Sequence, residues 1–369
     1  MTMTPWRAAL YLENGHLFEG LGFGGSASRG GEAVFNTGLT GYQEIFTDPS
    51  YCEQIVVMTY PHIGNTGINF EDLESKGLDL SGVVVRDYCA EPSNWRSKLT
   101  LGDYLQKAKI PGIYDVDTRA ITRILRSEGA QRGVIFPTQG IEANLVEEGA
   151  RLMKTVRPME GLELVSHVST KTAYEFEPAG PSQRGTMVVY DFGVKHNILR
   201  HLKRHQFKVW VVPYNTPHQE VLALNPRGVL LSNGPGDPAT VKGAVEEIQA
   251  LLGKVPMLAI CMGHQLLARA LGSQTYKLKF GHHGVNHPVK DLLLDKILIT
   301  SQNHGFAVRE QDLKIKDVKL SHVSLNDNTV EGFMSEKLRF YSVQFHPEAA
   351  PGPSDANYIF DYFIKGFVQ

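Results

Sequence analysis

Cys261 stands in PMLAICMGHQLLARALG, residues 256–272, where the residue types change within a few positions from those of a buried strand to those of a helix. Met257, Leu258, Ala259 and Ile260 form an apolar run, Gly263 follows, and Leu266, Leu267, Ala270 and Leu271 recur at helical spacing. A strand-to-helix turn of this kind holds its central side chain outward and needs small residues two places to either side, here Ala259 and Gly263. The helix behind the cysteine directs unpaired N–H groups and a partial positive charge at the sulfur. That favours the thiolate, the form that attacks carbon. The competing reading is a buried cysteine at an ordinary strand end, packed as a small hydrophobe.

Two further stretches complete a set. Ser232-Asn233-Gly234-Pro235-Gly236-Asp237-Pro238 follows the apolar run that ends at Leu231, and reads as a rigid, exposed loop with backbone N–H groups turned to a ligand. Beside a nucleophile, the N–H of Gly234 and that of Met262 would be placed to hold a developing oxyanion. In Phe340-Tyr-Ser-Val-Gln-Phe-His346-Pro347-Glu348, the alternation of a strand turns His346 and Glu348 the same way. They would be a base for the thiol proton and a carboxylate that orients it. Seen alone, each segment has a plain structural reading, a loop or a surface strand end. Together they supply the parts of one acyl transfer.

Other candidates are weaker. Ser301-Gln302-Asn303-His304-Gly305-Phe306 reads as a polar loop whose backbone and Asn303 could touch a small polar substrate. Gly281-His282-His283-Gly284 with His287 reads as turn-rich and has no carboxylate or cysteine at a ligand-like spacing, so no metal is expected. Gly20-Leu-Gly22-Phe-Gly24-Gly25 matches the dinucleotide pattern GxGxxG, but no helix pattern follows it, which favours a flexible turn. Cys52 and Cys89 read as packed small hydrophobes.

Elements that position these residues follow from pattern. From Thr186 onward, strands alternate with helices: 187–192 strand, 195–206 helix, 208–212 strand, 218–224 helix, 228–231 strand, 241–252 helix and 257–260 strand. That predicts an α/β fold with a mostly parallel sheet covered on both faces, and ligands bind such sheets at the carboxyl ends of the strands, where Cys261 falls. Residues 1–156 read as a separate strand-rich, glycine-rich α/β domain. It holds a hairpin about Asn14-Gly15, strands at 55–58 and 83–85, and helices at 117–128 and 143–156. Asp48-Pro49-Ser50 is a turn in which the serine hydroxyl caps local backbone. The run 157–185 reads as a linker, and 186–369 as the second domain.

Composition restricts the functional class. The 37 basic and 39 acidic residues leave a net charge of −2, so no sequence-wide field draws nucleic acid or an anionic membrane. The three cysteines form no CxxC pair and no even framework, which fits a reducing, cytoplasmic setting, and no apolar run approaches membrane-spanning length.

SNGPGDP at 232–238, ICMGHQLLA at 260–268 and QFHPE at 344–348 resemble the class I glutamine amidotransferases with their Cys-His-Glu triad. FNTGLTGYQEIFTDPSY at 35–51, TYPHIGNTG at 59–67, DTRAIT at 117–122, FGHHGVNHP at 280–288 and SQNHGFAV at 301–308 are similar to the small subunits of carbamoyl phosphate synthetase. The resemblance implies Cys261 as nucleophile, His346 as base and Glu348 as its partner. It implies that L-glutamine is held by Ser50, Gly234, Gly236, Met262, Gln265, Asn303, Gly305 and Phe306, with no metal among the histidines. It further implies a large-subunit partner, as a heterodimer or higher oligomer, that binds ATP and Mg and makes carbamoyl phosphate for arginine and pyrimidine synthesis, while this chain carries no cofactor. Ala259 departs from the glycine common in the family, so a tight but functional turn is expected. Two alternatives stay open: a free-standing hydrolase of γ-glutamyl compounds, which leaves the first domain without a role, and a non-catalytic scaffold, which leaves the Cys, His and Glu set without one.

Overall fold

The computed structural model describes residues 6–141, 144–178, 184–313 and 315–368. Ala143, where the second helix of the first domain was expected to start, and residues 179–183 of the expected linker lie outside them, as do residues 1–5 and 369 at the ends of the expected domains. Contacts divide the chain into two compact units, Met1–Leu162 with Lys279–His283, and Glu163–Leu278 with Gly284–Gln369.

The first unit is built on a closed barrel of seven strands. In order around it they are Trp6–Leu12, Leu17–Gly24, Pro111–Tyr114, Gly82–Val84, Gln54–Met58, Arg29–Asn36 and Gln131–Pro137. Short β-branched and aliphatic runs fill one cluster with Leu10, Ile55, Val57, Val84, Ile113 and Ile135, closed by Ile121 and Leu125 of the helix Thr118–Glu128. That helix begins where expected because the Asp117 side chain accepts from Ala120 N, and it ends at Gly129, with φ of 111°. The glycines at 20–25 are not a flexible turn: they lie in and just beyond the strand Leu17–Gly24, which pairs on both edges. Glycine is needed there for space, since a Cβ on Gly22 would sit 2.3 Å from the Trp6 indole.

The second unit carries a ten-stranded sheet. Five central strands, Lys208–Pro213, Thr186–Asp191, Gly228–Leu231, Met257–Ile260 and Phe340–Val343, run parallel. Beyond Phe340–Val343 come Val330–Ser335, Lys319–Ser324, Thr275–Asp291 and Lys296–Val308. Both faces are covered, as near-continuous apolar strands require. Met187, Val189, Leu258 and Ile260 join Ile198, Leu202, Ile359 and Phe363 on one face, while Val188, Tyr190, Met257 and Ala259 join Ile248, Leu251, Leu266 and Leu267 on the other.

Three expectations change here. The linker is partly built into the second unit: Val165–Val168 is a helical turn, and Tyr174–Glu175 pairs with the strand Lys208–Pro213 at the sheet edge. The histidine-rich segment at 281–287 is not turn-rich but lies inside the strand Thr275–Asp291, and 301–306 is not a loop but part of the strand Lys296–Val308. Polar residues concealed both strands, because the alternation of a strand is legible only when one face is apolar. Among the described residues, no helix is long and apolar enough to cross a membrane.

The Trp6–Gly22 contact gives a test of the barrel. Gly22→Leu should destabilise the protein by about 1–3 kcal/mol through overpacking. Thermal unfolding followed by circular dichroism would register a lowered midpoint, and an unchanged midpoint would mean that Trp6 yields without cost.

Candidate active site

Cys261 occupies a sharp corner between the strand Met257–Ile260 and the helix Met262–Ala270. Its backbone has φ 54° and ψ −105°, outside the regions comfortable for a side-chain-bearing residue. The corner is fastened on both sides: Cys261 N donates to the Val343 carbonyl at 2.9 Å, and Gly263 N to the Ser232 carbonyl at 2.9 Å. Only glycine fits at 263, because a Cβ there would lie 2.2 Å from the Leu231 carbonyl oxygen. Ala259 raises no such conflict: it is an ordinary buried strand residue, paired with Leu231 and Ser342. Met262 opens the helix, so its N–H has no acceptor within it.

His346 and Glu348 come together by a different route from the strand alternation expected of them. The strand Phe340–Val343 ends before either residue, and His346 is held by its N–H to the Ser301 carbonyl at 2.9 Å, while Glu348 lies in the following turn. The turn brings Glu348 Oε1 to 2.6 Å from His346 Nδ1. His346 Nε2 makes no hydrogen bond within the ordinary range among the described residues. Burial by itself would lower the proton affinity of His346, but the Glu348 carboxylate and the neighbouring Cys261 sulfur outweigh it and raise the pKa to about 10. Burial would likewise raise that of Glu348, yet Lys195 and then His346 hold it down to about 2.

Lys195 was not anticipated. It is fully buried, with Nζ 2.9 Å from Glu348 Oε1 and 2.5 Å from the Ala349 carbonyl. Asn197 Nδ2 donates to the Glu348 carbonyl at 2.5 Å, so the start of the helix His196–Arg204 clamps the same turn twice. A signal was present, since Lys195 follows the carboxyl end of a parallel strand, where sites collect. Nothing in its spacing distinguishes it from a surface lysine.

The loop 232–238 is buried, except at half-buried Gly236, rather than exposed, and its side chains brace the turn that carries the lysine. Ser232 Oγ accepts from Phe192 N and Asn233 Oδ1 from Lys195 N, at 2.9 and 3.0 Å. Gly234 packs against the Phe192 carbonyl, and Gly236 turns the chain with φ of 86°.

On the strand Lys296–Val308, the Asn303 carbonyl lies 3.6 Å from Cys261 Sγ. Gln265 Nε2 donates to the Phe306 carbonyl at 2.8 Å and to Gln344 Oε1 at 3.0 Å. Lys277 Nζ stands 4.9 Å above the Phe306 ring, beside Gly305. Ser50 belongs to the first unit, buried in a short 3-10 turn where its N–H is capped by Asp48 Oδ1 at 2.9 Å. Of the other cysteines, Cys52 is buried, which pushes its thiol up to about 12, while Cys89 is only half-buried.

Residues 188–366 match the family described as glutamine amidotransferase class-I, and residues 10–135 match the carbamoyl-phosphate synthase small chain, CPSase domain. The second unit is thus a class I glutamine amidotransferase domain. The chain is 49% identical to the carbamoyl phosphate synthase pyrimidine-specific small chain of Bacillus subtilis, over 96% of this chain and 94% of that one. It is 50% identical to the small chain of Syntrophotalea carbinolica, over 97% and 96%, and 48% identical to the chloroplastic small chain of Oryza sativa, over 98% and 83%. It belongs to the carbamoyl phosphate synthase small chain family.

The buried ion pair carries a prediction. Lys195→Met takes from Glu348 one of its two cations and should cost roughly 3–5 kcal/mol at neutral pH. Because the folded pKa of Glu348 lies below its ordinary value, this stability is present above about pH 4.5 and is lost as pH falls toward about 2. Urea titrations of both proteins from pH 7 downward should therefore show the gap closing in that window, and a gap independent of pH would sink the ion-pair explanation.

Proposed function

We propose that the chain is the glutaminase of a two-subunit synthase. The observation that carries this reading is Cys261 at the strained corner beside His346, whose Nδ1 is 2.6 Å from Glu348. The Cys261 thiolate attacks Cδ of the glutamine side chain, and the oxygen that becomes negative is held by the N–H groups of Met262 and Gly234. The raised proton affinity of His346 keeps an imidazolium beside the sulfur, suited to protonating the nitrogen that leaves as ammonia. What remains is a γ-glutamyl thioester on Cys261. Water, deprotonated by the same imidazole, cleaves it and releases glutamate.

Glu348 keeps the proton-bearing Nδ1 aimed at itself, so Nε2 is the nitrogen that exchanges protons with the sulfur and the substrate. Met262, Gly234, Gly236, Gln265, Asn303, Gly305 and Phe306 form the glutamine pocket of this reading. The ammonia passes to a large chain, which binds ATP with Mg and converts bicarbonate to carbamoyl phosphate. This chain needs no cofactor for its half of the reaction. Support for the partner comes from the kinship with carbamoyl phosphate synthase small chains and from the match of residues 10–135 to their CPSase domain.

Glutamate release from glutamine, measured with the chain alone and with its large chain plus ATP and bicarbonate, tests the reading. Cys261→Ser should lose at least about a thousandfold in rate, as removal of a nucleophile does. The wild-type rate should rise when the large chain turns over ATP. Full activity without the large chain and indifference to it would favour a free-standing hydrolase, and a Cys261→Ser variant that still supports glutamine-dependent synthesis would favour a scaffold.

A further inference from the structure

Behind the pocket, a chain of buried polar groups runs from Glu331 to Gln265, and each hydrogen bond dictates the role of the next. Thr300 Oγ1 gives its single proton to the His287 carbonyl at 2.9 Å, so it can only accept from Gln302. The Gln302 amide must then present Nε2 to Thr300, at 3.2 Å, and the same Nε2 donates to Glu331 Oε2 at 2.9 Å. Gln302 Oε1 is thereby turned toward His304 Nε2, 3.0 Å away. An amide oxygen only accepts, so this ring nitrogen carries a proton. The other, Nδ1, lies 2.8 Å from the Phe306 carbonyl oxygen, which also only accepts. A neutral imidazole has one N–H and cannot satisfy both.

We infer that His304 rests as an imidazolium, paired with the buried carboxylate of Glu331 through Gln302, and that Glu331 is a positioning residue for the amino-acid pocket. An all-neutral arrangement would need a protonated Glu331 and an inverted Gln302 amide, and Thr300 does not permit the inversion. Glu331 is fully buried, and its carboxylate lies within 4.8 Å of a ring nitrogen of His304, close enough for the two charges to offset one another's desolvation.

The consequence reaches the pocket through the Phe306 carbonyl, which takes one N–H from His304 and one from Gln265. Gln344 Oε1 takes the second hydrogen of the Gln265 amide. Gln265 Oε1 accepts from no described residue, so that amide offers a ligand an acceptor and not a donor. The Phe306 and Gln344 oxygens set the polarity of Gln265, and Glu331 acts one step behind them, by holding the charged ring that shares and fixes the Phe306 carbonyl. This last step rests on the glutamine pocket proposed above, whereas the charge on His304 does not.

Nitrogen NMR of the full chain labelled in histidine decides the first part, with the His304 signal identified by its loss in His304→Gln. Both ring nitrogens should appear protonated at neutral pH, and a ring with one bare nitrogen overturns the proposal whatever the enzyme does. In Glu331→Gln the ring should become neutral, and the KM for glutamine should rise about tenfold or more while kcat stays within about threefold, the split expected of lost ground-state positioning. Glu331→Asp, which keeps the charge, should retain the imidazolium. An unchanged KM with a still-charged ring in Glu331→Gln overturns the role of Glu331. Should Glu331→Gln not fold, Gln302→Met, which cuts the same link, is read by the same two measurements. If no glutamine is turned over by any form, the kinetic reading of the pocket fails and the NMR result still stands or falls alone.

Discussion

A carboxylate sealed away from water, Glu348, is the constraint around which the second unit is arranged. A lone carboxylate in that setting would take up a proton rather than stay charged. Lys195 Nζ and the His346 ring both press against its Oε1, and the result is an anion held at a fixed place with a cation on either side. To bring Lys195 there, the chain leaves the strand Thr186–Asp191 through a turn in which Asp191 Oδ1 accepts from Gly193 N and Val194 N. That turn is braced in turn by Ser232 and Asn233 from the next parallel strand, and Gly263 leans on the same loop. Four strand ends are thus tied together by polar contacts that converge on one ion.

The antiparallel wing of the sheet serves the same end by a different means. Ser301 and Asn303 of the strand Lys296–Val308 touch the backbone of His346 and the sulfur of Cys261, so the outer strand reaches both residues by its carbonyls alone. Such contacts need no particular side chain. They depend on the register of a strand whose polar face gives few hydrophobic cues.

This is also where the sequence stopped being legible. The parallel core could be read almost residue by residue, because runs such as Met187–Tyr190 and Met257–Ile260 are apolar on both faces. The corner at Cys261 was legible from its neighbours: small residues flank a cysteine where one periodicity gives way to another. The strands Thr275–Asp291 and Lys296–Val308 were not, since histidine, asparagine and glutamine look like loop residues until their partners are known. Lys195 was invisible on different grounds, as only tertiary packing separates a buried lysine from an exposed one. The adjacency of His346 and Glu348 was anticipated, but from strand geometry, when a turn supplies it.

The backbone of Cys261, with φ of 54°, carries a meaning beyond the placement of its sulfur. A residue bearing a side chain pays about 1–3 kcal/mol to hold such a conformation, and glycine would hold it almost freely. A chain shaped only for durability would therefore put glycine at 261. The cysteine is a standing load on the fold, borne by the hydrogen bonds from Cys261 and Gly263 to Val343 and Ser232. Reactivity and robustness compete at this one position, and engineering for heat resistance that looked only at the backbone would remove this cysteine first.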